Sequence, residues 1–481
     1  MRRRDLIAAA LVGAHPAVTS AASGVVPCAV PDPPPARGRT LAVRTFGAAG
    51  DGAHDDTAAI ERALAALQPG DTLRFGPGRF VHAARLVVAV PRVHLLADGA
   101  TLHASNPTDQ ALLIQADGVV VRGFTLTAVT DRRRGAPWES RIAIWRDGPR
   151  ALRAVSGVHI VDNRIVEAGA PGTPLANSSS SAAIFIHHAR DFTVARNLVR
   201  RSLSDAIHVT GGSSQGRVAG NTVRESGDDM VAVVSYLPLE RGRRGAPTLV
   251  RDVLIAGNDL AGQYWGRGIS VVGGEGITIE GNRVDAATHA AGVYLAREAS
   301  WRTHGVRRVR VSGNTITRVQ TVAPEYAVLD AANKGKRTGH GAIEVVAEVA
   351  DDERESIDTS GGLGVADVLI VDNVVRDIGT DGIRIGYGWG RQLATERVQP
   401  GGGTKRVGIT AGPVRRVTMR DNSLGAIRGA ALTIFNAADG ARALACAGNT
   451  IDGRPLTDAA CAPARSSATT PAASGRAPRC K

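Results

Sequence analysis

The sequence predicts an all-β protein built as a single-stranded right-handed parallel β-helix, a solenoid with a capping helix at its N-terminal end. Three observations predict it. A short phrase ending in Asn recurs along the chain, alternating apolar runs follow it, and the composition suits thin layers rather than one large core. The 481 residues exceed one ordinary core of about 100–200 residues. Phe, Trp and Tyr number only 7, 5 and 5 against 57 Gly, so small β-branched layers are favoured over aromatic packing. A hydrophobic content of 43% excludes wholesale disorder. Beyond the N-terminus no apolar run reaches the roughly 18–20 residues that cross a bilayer, so no membrane span is expected.

The chain opens with a charged segment, Met1-Arg2-Arg3-Arg4-Asp5, then apolar Leu6 to Ala14, then His15-Pro16 and the small residues Val18 to Ser23. That three-part order is the shape of a secretory signal, expected over 1–22, and it predicts a secreted or periplasmic protein. Arg3-Arg4-Asp5-Leu6-Ile7 resembles a twin-arginine signal. Residues 23–40 are rich in Pro and Ala and read as a linker. The β-helix domain is expected over 41–462, and the Ser-, Ala-, Thr- and Pro-rich 463–481 as a flexible tail. Cys28, Cys446, Cys461 and Cys480 lie outside the central body and fit no zinc spacing. Cys446 and Cys461, 15 residues apart, would staple the C-terminal end in an oxidising compartment.

The capping helix is expected where Asp55-Asp56-Thr57-Ala58-Ala59-Ile60-Glu61-Arg62-Ala63-Leu64 puts Asp before an Ala/Ile/Leu face. The repeat follows. Val158-His159-Ile160-Val161-Asp162-Asn163, Phe192-Thr193-Val194-Ala195-Arg196-Asn197 and Val253-Leu254-Ile255-Ala256-Gly257-Asn258 share one pattern, which returns at Asn221, Asn282, Asn314, Asn373, Asn422 and Asn449. The shortest spacing is 24 residues. After each Asn comes a second alternating run, as in Ala206-Ile207-His208-Val209 or Gly268-Ile269-Ser270-Val271, the period-two signature of a strand with one face buried. Short strands at a 24-residue repeat stack as coils about 4.8 Å apart. The Asn residues read as structural, each tolerating a left-handed bend and stacking with its neighbours into a ladder.

The formal net charge of +13 comes almost wholly from scattered Arg, with short runs at Arg132 to Arg134 and Arg241 to Arg244. It reads first as a solvated basic surface and second as attraction to a polyanion. No nucleic-acid motif is present, so no nucleic-acid partner is expected and polysaccharide, acidic among the polyanions, is the favoured substrate.

Aligning the second strand of each coil gives two columns on the outside of the solenoid. One runs Asp205, Asp229, Arg267, Ala291, Gly341, Asp381, and the other Phe185, His208, Ala232, Ser270, Tyr294, Glu344, Arg384. Asp205, Asp228 and Asp229 are the candidate catalytic residues. His208, Arg267, Tyr264, Trp265, Tyr294, Glu344, Asp381 and Arg384 are candidates for substrate binding, with Trp389 beside them in sequence. Carboxyl groups one coil apart would lie about 5–9 Å from each other, the range of paired glycosidase carboxylates. Like charges that close push one pKa up, so that one group is an acid while another stays a base. The plainer reading is a stack of turn Asp residues accepting backbone N–H groups. The inserts at 131–150, 236–250 and 321–360 are expected to wall the groove.

Phe46-Gly47-Ala48-Ala49-Gly50-Asp51-Gly52, Asp55 to Ile60 and Gly76-Pro77-Gly78-Arg79-Phe80 resemble the opening of pectin-lyase-like β-helix enzymes, including glycoside hydrolase family 28 and pectate-lyase-3-type proteins. The family-28 resemblance is local. Gly227-Asp228-Asp229-Met230-Val231-Ala232 is similar to that family's Gly-Asp-Asp strand, and Asp205 precedes Asp228 by 23 residues. The resemblance implies hydrolysis of a polysaccharide with inversion, Asp228 as general acid, Asp205 and Asp229 orienting water, and no cofactor. Gly266-Arg267-Gly268 carries Arg where the family has His, and Gly292-Val293-Tyr294-Leu295 lacks the cations that would hold a uronate carboxylate. Two other readings stay open. One is a lyase or C5-epimerase on a uronate polymer, with Ca²⁺ on the three Asp residues and Arg267 beside them. The other is a non-catalytic glycan-binding or surface β-helix.

Overall fold

The computed structural model describes residues 29–128, 136–146, 151–167, 182–237, 248–263, 266–287, 289–321, 338–356, 362–388, 392–398, 404–435 and 441–456. The signal segment, the tail, Cys28, Cys461, Cys480, Tyr264, Trp265, Trp389 and both Arg runs lie outside these residues, so the expectations placed on them do too.

The chain winds as a right-handed parallel β-helix. Among the described residues three long sheets run along it, of 16, 14 and 13 strands, and neighbours within each come mostly from successive coils. Pairing is parallel and in register, as where Ile207, His208 and Val209 meet Val231, Ala232 and Val233. Alternation explains the core. In the third sheet Ile207, Val209, Val231, Val233, Ile269 and Val271 all point into one continuous apolar cluster. Each coil therefore buries a thin layer of Val, Ile and Leu, and Phe75, Phe80 and Phe124 stack edge-to-face near the start. The helix Thr57–Ala65 turns Ala59, Ile60, Ala63 and Leu64 into the first coil and covers the solenoid's open end. Its Asp pair is structural. Asp55 accepts the Thr57 N–H, while Asp56 accepts those of Ala49 and Gly50 rather than capping the helix through its side chain.

The asparagine ladder is continuous from Asn163 to Asn449. From Asn197 onward each Asn Oδ1 accepts both the backbone N–H and the side-chain amide of the Asn one coil before it, as in Asn197 to Asn221 at 3.0 Å each. The amide also donates to a strand carbonyl, Asn221 to Val194 at 2.9 Å. One detail departs from the expectation. The left-handed residue is not the Asn but the one before it: Asp162, Arg196, Gly220, Gly257, Gly281, Gly313, Asp372, Asp421 and Gly448, with φ between 54° and 66°. Gly, and Asp among other residues, tolerate that region. The bend at the preceding residue is what turns the Asn inward to be buried.

A second departure lies on the outer face of the third sheet. Gln392–Val398 and Thr404–Ala411 form an antiparallel pair, and the latter also pairs antiparallel with the end of Ile343–Ala350. Val407 and Ile409 join Ala232, Val234, Val272, Tyr294, Ala296 and Val346 in a separate apolar cluster. This stretch of the outer face is therefore packed, not solvated.

Candidate active site

The expected second column is present residue for residue: Phe185, His208, Ala232, Ser270, Tyr294, Glu344 and Arg384 are paired in register. The carboxylates sit at the N-terminal ends of its strands. Asp205 precedes Ile207–Thr210, and Asp228 and Asp229 precede Val231–Val234. Each acid ties itself to the next coil through the backbone. Asp205 Oδ1 accepts the Asp229 N–H at 2.9 Å, and Asp229 Oδ1 accepts that of Arg267 at 2.5 Å. The plainer reading of these residues as turn acids is thus true in part. It accounts for one oxygen of Asp205 and one of Asp229.

The three side chains converge. Asp205, Asp228 and Asp229 each present one oxygen, all within 4.8 Å of one another. Asp205 Oδ2 lies 2.6 Å from His208 Nδ1, and Ser270 Oγ donates to Asp229 Oδ2. Two glycines make room. A Cβ on Gly266 would fall 2.2 Å from oxygens of both Asp228 and Asp229, and one on Gly227 would strike the Leu203 carbonyl at 2.5 Å. Gly266 is a steric requirement of the acid pair, and Gly227 of the close approach to the coil before it.

The electrostatics follow from crowding. Burial, then the Asp229 charge, pushes the Asp205 pKa well above the usual carboxylate range. Burial, then Asp205 and Asp229, does the same for the half-buried Asp228. His208 is pulled down to about 4 by burial and is neutral near pH 7. Arg267 is the counter-charge. Its guanidinium pairs with Glu298 at 2.5 Å, lies 3.7 Å from Asp229 Oδ2, and covers the Tyr294 ring with its Cζ 4.4 Å from the centroid. Burial alone would lower its pKa, but Glu298 and Asp229 outweigh that and raise it.

The remaining candidates are not part of this group. Glu344 lies two coils beyond Arg267, fully buried, with Oε2 accepting the Gly341 N–H at 2.9 Å. Burial lifts its pKa to about 7 against the opposing Arg384. Arg384 packs over Phe435, and Asp381 accepts from Ala430 N–H and Thr433 Oγ. At four coils from Asp229, Asp381 and Arg384 stand about 19 Å away along the axis. Inspection of the sequence missed Glu298 and Tyr236. Glu298 holds Arg267, and Tyr236 lies within reach of the charges of Asp205, Glu298, Asp228 and Asp229. Neither lies in an Asn-marked register, which is why the column alignment passed over them.

Three oxygen ligands at this separation also suit a hard cation, because two ligands on one Ca²⁺ at about 2.4 Å can stand up to roughly 4.8 Å apart. The chemistry available is therefore acid–base work by carboxyls of unequal acidity, or cation binding.

No family model matches the chain, and no curated protein matches it. Solved structures do. The catalytic unit of a thermostable α-1,3-glucanase of glycoside hydrolase family 87 from Streptomyces thermodiastaticus is 16% identical, with a TM-score of 0.53 over 89% of this chain and 70% of that one. The A-module of the mannuronan C-5 epimerase AlgE6 from Azotobacter vinelandii is 13% identical, with a TM-score of 0.50 over 85% and 99%. A family-6 alginate lyase in complex with a trisaccharide is 14% identical, with a TM-score of 0.50 over 86% of each chain. At these identities what is shared is the fold.

Proposed function

We propose that this protein is an exported glycoside hydrolase that cleaves a polysaccharide with Asp228 as general acid and Asp205 and Asp229 orienting the attacking water. The observation that carries the reading is the convergence of three carboxyl oxygens within 4.8 Å from two neighbouring coils. A water hydrogen-bonded to two oxygens at about 2.8 Å each fits between acceptors up to roughly 5.6 Å apart. Asp229 is held in place by Arg267 and Ser270. Asp228 carries the raised pKa that a general acid needs, and it is the acid that stays partly open to solvent. The glucanase, epimerase and lyase among the structural neighbours agree with action on a polysaccharide.

The family-28 resemblance adds the expectation of inversion. The close spacing is the point of tension, because inverting pairs usually stand about 6.5–9.5 Å apart and retaining pairs about 5–5.5 Å. The test is digestion of a panel of neutral and acidic glycans, with proton NMR of the first anomer released. New reducing ends of inverted configuration support the reading. Retention would recast one Asp as a nucleophile, and no new reducing ends from any glycan would end it.

One observation favours a second reading, the suitability of the same oxygens for Ca²⁺. In that reading the cation neutralises a uronate carboxylate, and elimination or C5-epimerisation follows proton abstraction. Arg267 is a poor base for it, since its paired guanidinium holds its proton more tightly than usual. Unsaturated products that vanish on chelation would favour this reading over hydrolysis.

A further inference from the structure

Among the described residues four large hydrophobic side chains are exposed: Val87, Leu152, Tyr236 and Trp301. The two aromatic ones, 39% and 49% exposed, are not scattered. Tyr236 and Thr303 form an antiparallel bridge, the Leu237 N–H donates to the Arg302 carbonyl at 2.7 Å, and the His304 N–H to the Ser235 carbonyl at 2.8 Å. The segment that carries Tyr236 is thus zipped to the turn that carries Trp301.

That turn is rigid by construction. It spans Glu298 to Thr303 and is closed by the Thr303 N–H on the Glu298 carbonyl at 3.1 Å, with the Glu298 N–H on Thr303 Oγ1 at 2.9 Å. Beneath it lies Arg297, with no exposed surface. Its guanidinium reaches the Thr303 carbonyl at 3.3 Å, the Glu348 carbonyl at 2.7 Å and the Glu353 carboxylate at 2.7 Å. Burying an ion pair costs several kcal/mol per ion before its attraction is counted. Here the pair braces a turn whose tip is an exposed indole, and whose first residue, Glu298, holds Arg267 beside the catalytic acids.

We propose that Tyr236 and Trp301 form an aromatic clamp that binds a neutral pyranose ring of the substrate next to the three Asp residues. It rests on the glycan-acting reading above and names the sugar class. Two arguments favour a neutral ring. Aromatic faces attract the C–H-rich face of a sugar without requiring charge, and rigid aromatics lose little entropy on binding. Against that, among the described residues Asp205, Asp228, Asp229 and Glu298 crowd around the guanidinium of Arg267, which is already committed to Glu298, Asp229 and the Tyr294 ring. A uronate would add an anion where carboxylates are already in excess.

The test is calorimetric titration of the full chain, in chelator, with hexasaccharides of α-1,3-, β-1,3- and β-1,4-linked glucose and of β-1,4-linked mannose, and with hexagalacturonate and hexamannuronate. The same titrations are run on Trp301→Ala, Tyr236→Ala and Tyr236→Phe, with circular dichroism as a check on folding. At least one neutral hexasaccharide should bind at least tenfold tighter than either uronate. Trp301→Ala and Tyr236→Ala should each weaken it tenfold or more, and Tyr236→Phe, which keeps the ring, by less than threefold. Tighter binding of a uronate, no binding of any neutral hexasaccharide, or wild-type affinity in both folded alanine variants would overturn the clamp. Binding without new reducing ends would count against hydrolysis and leave the clamp standing. Cleavage with affinity unchanged in both alanine variants would do the reverse.

Discussion

Two rows of side chains climb this molecule one coil at a time, and they differ by one atom type. The Asn row runs from Asn163 to Asn449, and the Asp row contains Asp205 and Asp229. Both use a side-chain oxygen to accept a backbone N–H from an adjacent coil. An amide also donates, so each Asn hands its second interaction to the next Asn and to a strand carbonyl, and the row closes on itself without charge. A carboxylate has only acceptors. The acids therefore crowd together, lean on Arg267 from the next coil and on Ser270 and His208 beside them, and at Asp205 and Asp228 have pKa values that burial and mutual repulsion raise. The same scaffold geometry closes its hydrogen bonds with one residue type and gathers titratable oxygens with the other.

The largest effect should come from removing the acid. Asp228→Asn keeps the shape and deletes the proton, and general acids contribute about 10²–10⁴-fold. Reducing-end release should fall about a thousandfold at every pH. A loss of less than tenfold would move the acid's role elsewhere in the cluster. The complementary change makes the Asn row resemble the Asp row. Asn221→Asp removes the donors to Val194 and Asn258 and buries a charge, and Asn221→Ala strands the groups on both neighbouring coils. Each buried group left unsatisfied costs about 1–3 kcal/mol, so Asn221→Ala should lose about 3 kcal/mol in urea unfolding, and Asn221→Asp more at pH 7 than at pH 4. A milder effect of Asn221→Asp would mean that the ladder does not depend on donation.

How much of this was legible in the sequence divides along the same line. The coil architecture, the capping helix and the Asn ladder were readable because each rests on a strict local period, and His208, Ser270, Tyr294, Glu344 and Arg384 fell into one column by counting alone. The left-handed position was misplaced by one residue. Spacing marks the turn, but the choice of which residue takes the positive φ depends on which side chain must point inward. The covering of the outer face by Val407 and Ile409 was invisible, since an antiparallel pair inserted between coils obeys neither period. Glu298, Tyr236 and Trp301 went unremarked for the same reason: they come together through a bridge between the start of an insert and the turn 298–303, a contact that no repeat announces.

A pH series sharpens the contrast between the rows with smaller effects. For Asp205 and Asp228 the folded pKa is raised, so between the ordinary value of 3.8 and the raised one the folded state holds more protons than the unfolded chain. Stability therefore falls as pH rises through that window and is fully kept only below it. Asp228→Asn removes one of the two groups, so its melting temperature should exceed that of the wild type at pH 7, with the difference closing as pH approaches 3.8. A variant that melts lower at pH 7 would show that the ionised cluster is stabilising, contrary to its crowding. The smallest effect belongs to the exposed ion pairs that stitch neighbouring coils elsewhere. Arg416 grips Asp367 with two contacts, Nη2 to Oδ2 at 2.8 Å among them, with both side chains open to solvent. Such pairs are worth about 0.2–1 kcal/mol and are screened by salt. Arg416→Ala should cost no more than that in dilute buffer and almost nothing in molar salt, whereas the Asn221→Ala deficit should persist there. An equal salt response in the two variants would mean that the ladder owes its strength to electrostatics and not to paired, water-free hydrogen bonds.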